Sequence, residues 1–214
     1  MNTDQLIDKL VAEGAQRPLP HPMKQALFWL AGTLIWLAAL SGYNGFRADI
    51  AGKLADPFYV TELILLFGMA FSAALAALCL SRPDGHQMPW IKYIPFVFLA
   101  PWAAAAFAGA TGDISFISIC HSMTLGQFDC PWHILLFSTP PGIAMFLIVR
   151  KGAPIQCCWA GSMATWSVTS FGYLCMRLIE QNDNPPHLIV WHALPIVLMC
   201  IIGMMAGKFA LRWR

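Results

Sequence analysis

Residues able to ligate metals or exchange thiols crowd into two stretches of this chain. The stretch 111–133 reads TGDISFISICHSMTLGQFDCPWH and carries Cys120, His121, Cys130 and His133, with no Lys or Arg. The stretch 177–192 adds Glu180, Asp183, His187 and His192, so four of the six histidines fall in these two segments. Thiolate and neutral imidazole are the favoured ligands for zinc and copper, whereas carboxylates suit harder ions. Cys120, Cys130, His133, His187 and His192 are therefore the candidate metal ligands. No cofactor motif is present, and a divalent metal held transiently by these Cys and His residues is what the residue types would accept. Two cysteines ten residues apart on a loop can also close a disulfide in an oxidising compartment. The spacing C-H-x8-C-x2-H follows no standard zinc pattern, so metal binding, redox exchange and a structural disulfide all stay open. Each of His133, His187 and His192 also has a Trp or Pro nearby, and fits the bland role of a polar tip at a membrane interface. Cys79, Cys157, Cys158 and Cys200 fall in apolar stretches and read as small packing residues. Cys175 reads the same way but lies near a span end, where a sensing role stays open.

The elements that must position these residues follow from composition. The chain has 214 residues, 58% of them apolar and 11% charged, with a mean hydropathy of +0.60. Soluble domains average about 45–50% apolar and about 25% charged. The excess excludes a disordered chain, a disulfide-rich mini-protein and a soluble globular domain. A net charge of +2, scattered along the chain, excludes a nucleic-acid-binding patch and with it a direct nucleic-acid partner. The lipid bilayer is the expected surrounding.

A spanning helix needs about 20 mostly apolar residues. Six stretches qualify: 26–43, 59–80, 93–110, 132–149, 155–176 and 188–207. Pro95, Pro101 and the pair Pro140–Pro141 interrupt the third and fourth, and within a bundle neighbouring helices can satisfy the carbonyls that proline frees. The segment before residue 26 has acids and prolines rather than a signal-peptide core. The expected fold is all-α: a polytopic six-helix transmembrane bundle over 26–214, preceded by a cytoplasmic segment, 1–25, with a short amphipathic helix.

Lys and Arg set the orientation. With a cytoplasmic N-terminus, the inner side holds Lys9, Arg17, Lys24, Arg82, Lys92, Arg150, Lys151, Lys208, Arg212 and Arg214, and the outer side only Arg47, Lys53 and Arg177. Ten against three puts both termini inside a bacterial inner membrane. The two Cys/His stretches then face outward. Trp90, Trp132, Trp191, Tyr43, Tyr59 and Tyr93 lie near span ends and read as an interfacial belt. Gly203 and Gly207 form a G-x-x-x-G suited to close packing inside the bundle.

On the inner side, residues 3–13, TDQLIDKLVAE, form an expected helix with Thr3 as N-cap. Leu6, Ile7, Leu10 and Val11 make a narrow apolar stripe, with Asp4, Asp8, Lys9 and Glu13 opposite. Surface-bound helices are rich in Lys and Arg, and this one has more acids than bases, so a groove on a cytoplasmic partner suits it better than lipid. Pro18, Pro20 and Pro22 follow as a stiff spacer.

The opening MNTDQLIDKLVAE, the Pro-rich bridge, LADPFYVTELILL, FSTPPGIAMFLIVRKGAP and HLIVWHALPIVLMCIIGMMAGKFALRW resemble, in order and spacing, the NrsF-type membrane anti-sigma factors. The resemblance runs from Met1 to about Trp213. It implies a six-span inner-membrane regulator, not an enzyme, that holds an extracytoplasmic-function sigma factor and releases it on heavy-metal or oxidative stress through outer-face cysteines. Leu6, Ile7, Leu10 and Val11 would then be the sigma-factor contact. Cys130 matches the family's first sensing cysteine. The second commonly lies in the last outer loop before the WH pair, but RLIEQNDNPPHLIVWH contains none; Cys175 or Cys120 would substitute, with His121 beside the latter. The competing readings are a thiol–disulfide oxidoreductase working with quinone, disfavoured by the lack of an outer C-x-x-C, and a small transporter, disfavoured by the scarcity of intramembrane charge.

Overall fold

The computed structural model describes residues 2–13, 20–108 and 128–212. Cys120 and His121 lie outside them. The described residues are helical, with no strand among them. In chain order the helices are α1 (Thr3–Glu13), α2 (Pro22–Asn44), α3 (Ile50–Leu54), α4 (Pro57–Leu80), α5 (Ile94–Ala108), α6 (Asp129–Lys151), α7 (Cys157–Ile179) and α8 (Pro185–Ala210). Two short 3-10 turns, Pro83–Gln87 and Pro89–Tyr93, join α4 to α5. Each of the six apolar stretches falls on a helix as far as its residues are described, the third being described to residue 108, and four of these helices, α2, α4, α6 and α8, are long and apolar enough to cross a membrane.

Helix starts follow local chemistry. Pro22 and Pro57 occupy first-turn positions, where a missing N–H costs nothing. The side chains before them cap the next free donors: His21 Nδ1 accepts from Met23 N at 3.2 Å and Asp56 Oδ1 from Phe58 N at 3.0 Å. In α1 the cap is Asn2 rather than the expected Thr3. The Asn2 carbonyl accepts from Leu6 N and its own N–H donates to Gln5 Oε1 at 3.2 Å, half of a capping box.

The proline pair does not end α6. Pro141 has no N–H to offer the Phe137 carbonyl one turn back, and Trp36 Nε1 of α2 donates to that oxygen at 3.0 Å. Trp29 Nε1 donates to the Pro141 carbonyl at 3.0 Å. Two indoles thus supply the hydrogen bonds that lipid cannot.

Helix α7 is the centre, packed on α4, α6 and α8. Its small and hydroxylated residues let neighbours approach, and the two threonine hydroxyls are tied to the backbone: Thr165 donates to the Gly161 and Ser162 carbonyls, Thr169 to that of Thr165. Across the α7–α8 contact Gly161 faces Gly203 and Gly207; a Cβ at Gly203 would stand 2.6 Å from the Gly161 oxygen, and one at Gly161 2.9 Å from the Gly207 Cα. The G-x-x-x-G therefore serves packing within the chain. Large apolar side chains such as Phe28, Ile35, Phe58, Ile143 and Phe209 point outward, as lipid-facing positions do.

The aromatic belt needs correcting. Trp90, Trp132, Tyr43 and Tyr93 are exposed, but Trp191 and Tyr59 are buried. Tyr59 donates to the Arg177 carbonyl at 2.6 Å, with the guanidinium groups of Arg47 and Arg177 over its ring.

Candidate functional site at the ends of α6, α7 and α8

Three chain segments converge at one end of the bundle. Cys130 sits in the first turn of α6, which Phe128 pins to α8 by an edge-on contact with Trp191, centroids 5.1 Å apart. Glu180 ends α7: its N–H still donates to the Met176 carbonyl, but its own backbone is extended and the chain leaves the helix. Pro185 and Pro186 restart helix in α8.

Just after its first residues, Pro185–His187, α8 is not α-helical. Residues Leu188–Ala193 form a π-helix. In an α-helix two residues five apart point about 140° away from each other. The wider π turn, with its i to i+5 bonding, brings such residues back toward one face. His187 and His192 consequently meet, ring centroids 5.1 Å apart. Tyr173 of α7 backs His192 edge-on at 4.9 Å.

Glu180 reaches between the two imidazoles. Its Oε1 lies 2.9 Å from His187 Nε2, and its Oε2 lies 2.9 Å from His192 Nε2. Both are close ion-pair approaches; the second is out of line for a hydrogen bond, and Glu180 Oε2, His192 Nε2 and the two Nδ1 atoms have no hydrogen-bond partner among the described residues. Cys130 Sγ completes the group, donating to Glu180 Oε1 at 3.4 Å and lying 3.7 Å from His187 Nε2. All four ligand atoms lie within 4.8 Å of one another. Burial alone would raise the Glu180 carboxyl, but the two imidazoles outweigh it and hold the group well below the ordinary carboxylate range.

Three residues on, Asp183 ties the same connection to the rest of this end. It accepts from Arg47 at 2.9 Å, Lys53 at 2.6 Å and Arg177 at 2.8 Å. Arg177 also binds Glu62 of α4 at 2.9 Å, and Arg47 binds Asp49 at 2.7 Å. The three cations that the sequence assigns to the outer side are thus all paired. Burial opposes ionisation of Asp183, yet Arg47, Lys53 and Arg177 hold its carboxyl well below the usual range. A lowered native value stabilises the fold above the unfolded-state value and is lost as pH falls through the native one. Thermal stability in detergent should hold through neutral pH and fall as pH drops from about 4 downward. Asp183→Asn should be less stable at neutral pH and show a shallower acid decline; an unchanged acid slope in the variant would remove Asp183 as the cause.

Of the expected ligands, Cys130, His187 and His192 are brought together. His133 is not: its Nδ1 lies 2.7 Å from the Asp129 carbonyl of its own helix and its ring packs on Phe137. Cys175, a candidate substitute for the missing second cysteine, is fully buried and turned to α2, with Sγ 3.3 Å from Ser41 Oγ. The position opposite Cys130 is taken by Glu180, a residue visible in the sequence as an outer acid but not singled out as a ligand. Its signal lay in the shared loop with His187, seven residues on.

Comparison with known proteins places the chain. The family model described as negative regulator of sigma F matches residues 10–213. The chain belongs to the NrsF family. Anti-sigma-F factor NrsF of Caulobacter vibrioides (strain NA1000 / CB15N) is 26% identical over 224 aligned positions, covering 100% of both chains. No solved structure matches. NrsF proteins are regulators rather than enzymes, and the family description implies a sigma factor as partner.

Proposed function

We propose that this NrsF-family protein is an inner-membrane anti-sigma factor that holds an extracytoplasmic-function sigma factor at the cytoplasmic face and releases it on a metal or oxidative signal from the periplasm. The observation that carries the sequestering half is α1. Leu6, Ile7, Leu10 and Val11 lie on one apolar stripe, every one exposed, and no residue of the helix is buried. An isolated helix of this length is marginal in water, so the stripe calls for a partner groove. The acids opposite it disfavour an anionic membrane surface as that partner. Covering the stripe masks a polymerase-contacting or DNA-contacting surface of the sigma factor.

The sensing half rests on Cys130 and the residues around it. Six spans with both termini inside would put this group in the periplasm. The connection 180–184 carries both Glu180 of the cluster and Asp183 of the ion-pair network, so a change at Cys130 reaches Arg47 in the α2–α3 connection, Lys53 of α3, Arg177 of α7 and, through it, Glu62 of α4 by one short segment. Shifting a partner from mostly held to mostly free needs about 5.5 kcal/mol of differential binding. Metal–thiolate sites reach roughly 10–16 kcal/mol in apparent energy, enough to supply it.

Co-purification in detergent tests the reading. The intact protein should capture a sigma factor of this class from the same cell. Leu6→Asp with Leu10→Asp should lose it, since two buried leucines contribute about 3–6 kcal/mol. Undiminished capture by the double variant, with α1 still helical, would overturn α1 as the docking element.

A further inference from the structure

We infer that Cys130, Glu180, His187 and His192 form a four-coordinate site for a divalent cation of the zinc class. Bonds of about 2.0–2.3 Å arranged tetrahedrally hold their ligand atoms about 3.3–3.6 Å apart. Here Cys130 Sγ stands 3.4 Å from Glu180 Oε1 and 3.7 Å from His187 Nε2, and no pair of the four exceeds 4.8 Å. The two Glu180–imidazole distances, each 2.9 Å, are shorter than coordination requires. A bound cation therefore has only to part the carboxylate from the imidazoles by a few tenths of an ångström and draw the remaining pairs together.

The second observation is what hydrogen bonding leaves undone. His192 is fully buried, with its Nε2 turned into the cluster yet out of line with Glu180 Oε2, so neither atom has a hydrogen-bond partner among the described residues. Buried polar atoms left this way are rare and call for a cause; a shared cation supplies one. The donor set selects the cation. One thiolate, two imidazoles and one carboxylate suit zinc-like ions and not magnesium or calcium, which take oxygen. Charge balances too, since thiolate and carboxylate together match a divalent ion. On binding, the Cys130 thiol proton passes to solvent, and each imidazole keeps one proton on Nδ1 while Nε2 takes the metal.

The same geometry makes cation binding a better use of Cys130 than thiol exchange. A thiolate there would face the Glu180 carboxylate, and no second cysteine among the described residues lies in the group. A cation removes the repulsion by binding both. It would also clasp α6, the end of α7 and the start of α8 together, which is how occupancy reaches the bundle. The site stands on its own geometry; its use as the releasing signal rests on the anti-sigma reading above.

The full-length protein in detergent, stripped with chelator and titrated with Co²⁺ alone, tests the site. Tetrahedral cobalt bands with a thiolate-to-cobalt charge-transfer band should appear at one equivalent and vanish on adding Zn²⁺. Cys130→Ser should remove the charge-transfer band. Glu180→Gln, His187→Ala and His192→Ala should each weaken binding by at least about 10–100-fold, the range already seen for lost outer-shell partners, while Cys175→Ser should change nothing. In the unmutated chain, Zn²⁺ should slow alkylation of Cys130 at least tenfold, with Cys157 and Cys158 as unaffected references, which removes dependence on how the variants fold. An octahedral spectrum, or Cys130 alkylation at one rate with and without Zn²⁺, overturns the site. If cobalt binds as described but sigma-factor capture does not respond to it, the site stands and the releasing role falls.

Discussion

Gly203→Leu should disrupt the α7–α8 pair and with it most of the fold. The Gly203 Cα faces the Gly161 carbonyl and Thr165, so even a methyl group would stand 2.6 Å from a backbone oxygen. Overpacking where side chains can yield costs about 1–3 kcal/mol. Here the obstacle is backbone, and the loss should be at least about 3 kcal/mol. Small residues at such crossings are what allow helices to approach in lipid, where apolar burial adds little drive. Gly32→Leu is the control, because nothing lies within 4 Å of its Cβ position. Thermal unfolding in detergent, followed by circular dichroism, should separate the two by many degrees. Equal melting would show that α8 can slide along α7 without penalty.

Arg177→Met should be nearly as severe. The guanidinium has a side-chain exposure of 4% and is shared between Glu62 and Asp183. Asp183 would keep Arg47 and Lys53, but among the described residues Glu62 would keep only the Tyr173 hydroxyl, which donates to it at 3.1 Å. Removing one member of a buried pair costs about 3–5 kcal/mol, mostly for the charge left behind. Adding Glu62→Gln to Arg177→Met should therefore recover part of the loss, and a double-mutant cycle in a denaturing detergent series measures how much. Strict additivity of the two changes would mean that the pair does not couple. Because Asp183 shares the 180–184 connection with Glu180, Arg177→Met should also loosen the cluster around Cys130.

Much of this was legible in one dimension. Apolar runs of about 20 residues must hide their backbone polar groups by forming helices, so each stretch marks a helix, although only four of those helices are long and apolar enough to cross a membrane. The starts at Pro22 and Pro57 were marked by proline and a capping neighbour. The tolerance of Pro140 and Pro141 inside α6 was foreseeable in kind, since a bundle can supply donors, but Trp29 and Trp36 as those donors were not. Both lie over a hundred residues from the carbonyls they reach. The stripe on α1 is readable because its period is local, whereas the choice between Asn2 and Thr3 as its cap is not, because both residue types are good caps.

The candidate site divides along the same line. Readable from the residues in order are their types, the gathering of thiols, imidazoles and acids in the connections flanking α6, α7 and α8, and the scarcity of cations at one end of the bundle. Those are matters of composition and hydropathy, which act residue by residue. Which of these residues meet is set by the packed helices. Glu180 stands where a second cysteine was sought, Cys175 faces α2, and His133 is spent on its own helix. His187 and His192 share a face because the chain between them winds as a π turn and not as an α turn. Side chains at a site meet by the packing of whole helices and by backbone detail at their ends, and neither has a period that spacing can reveal.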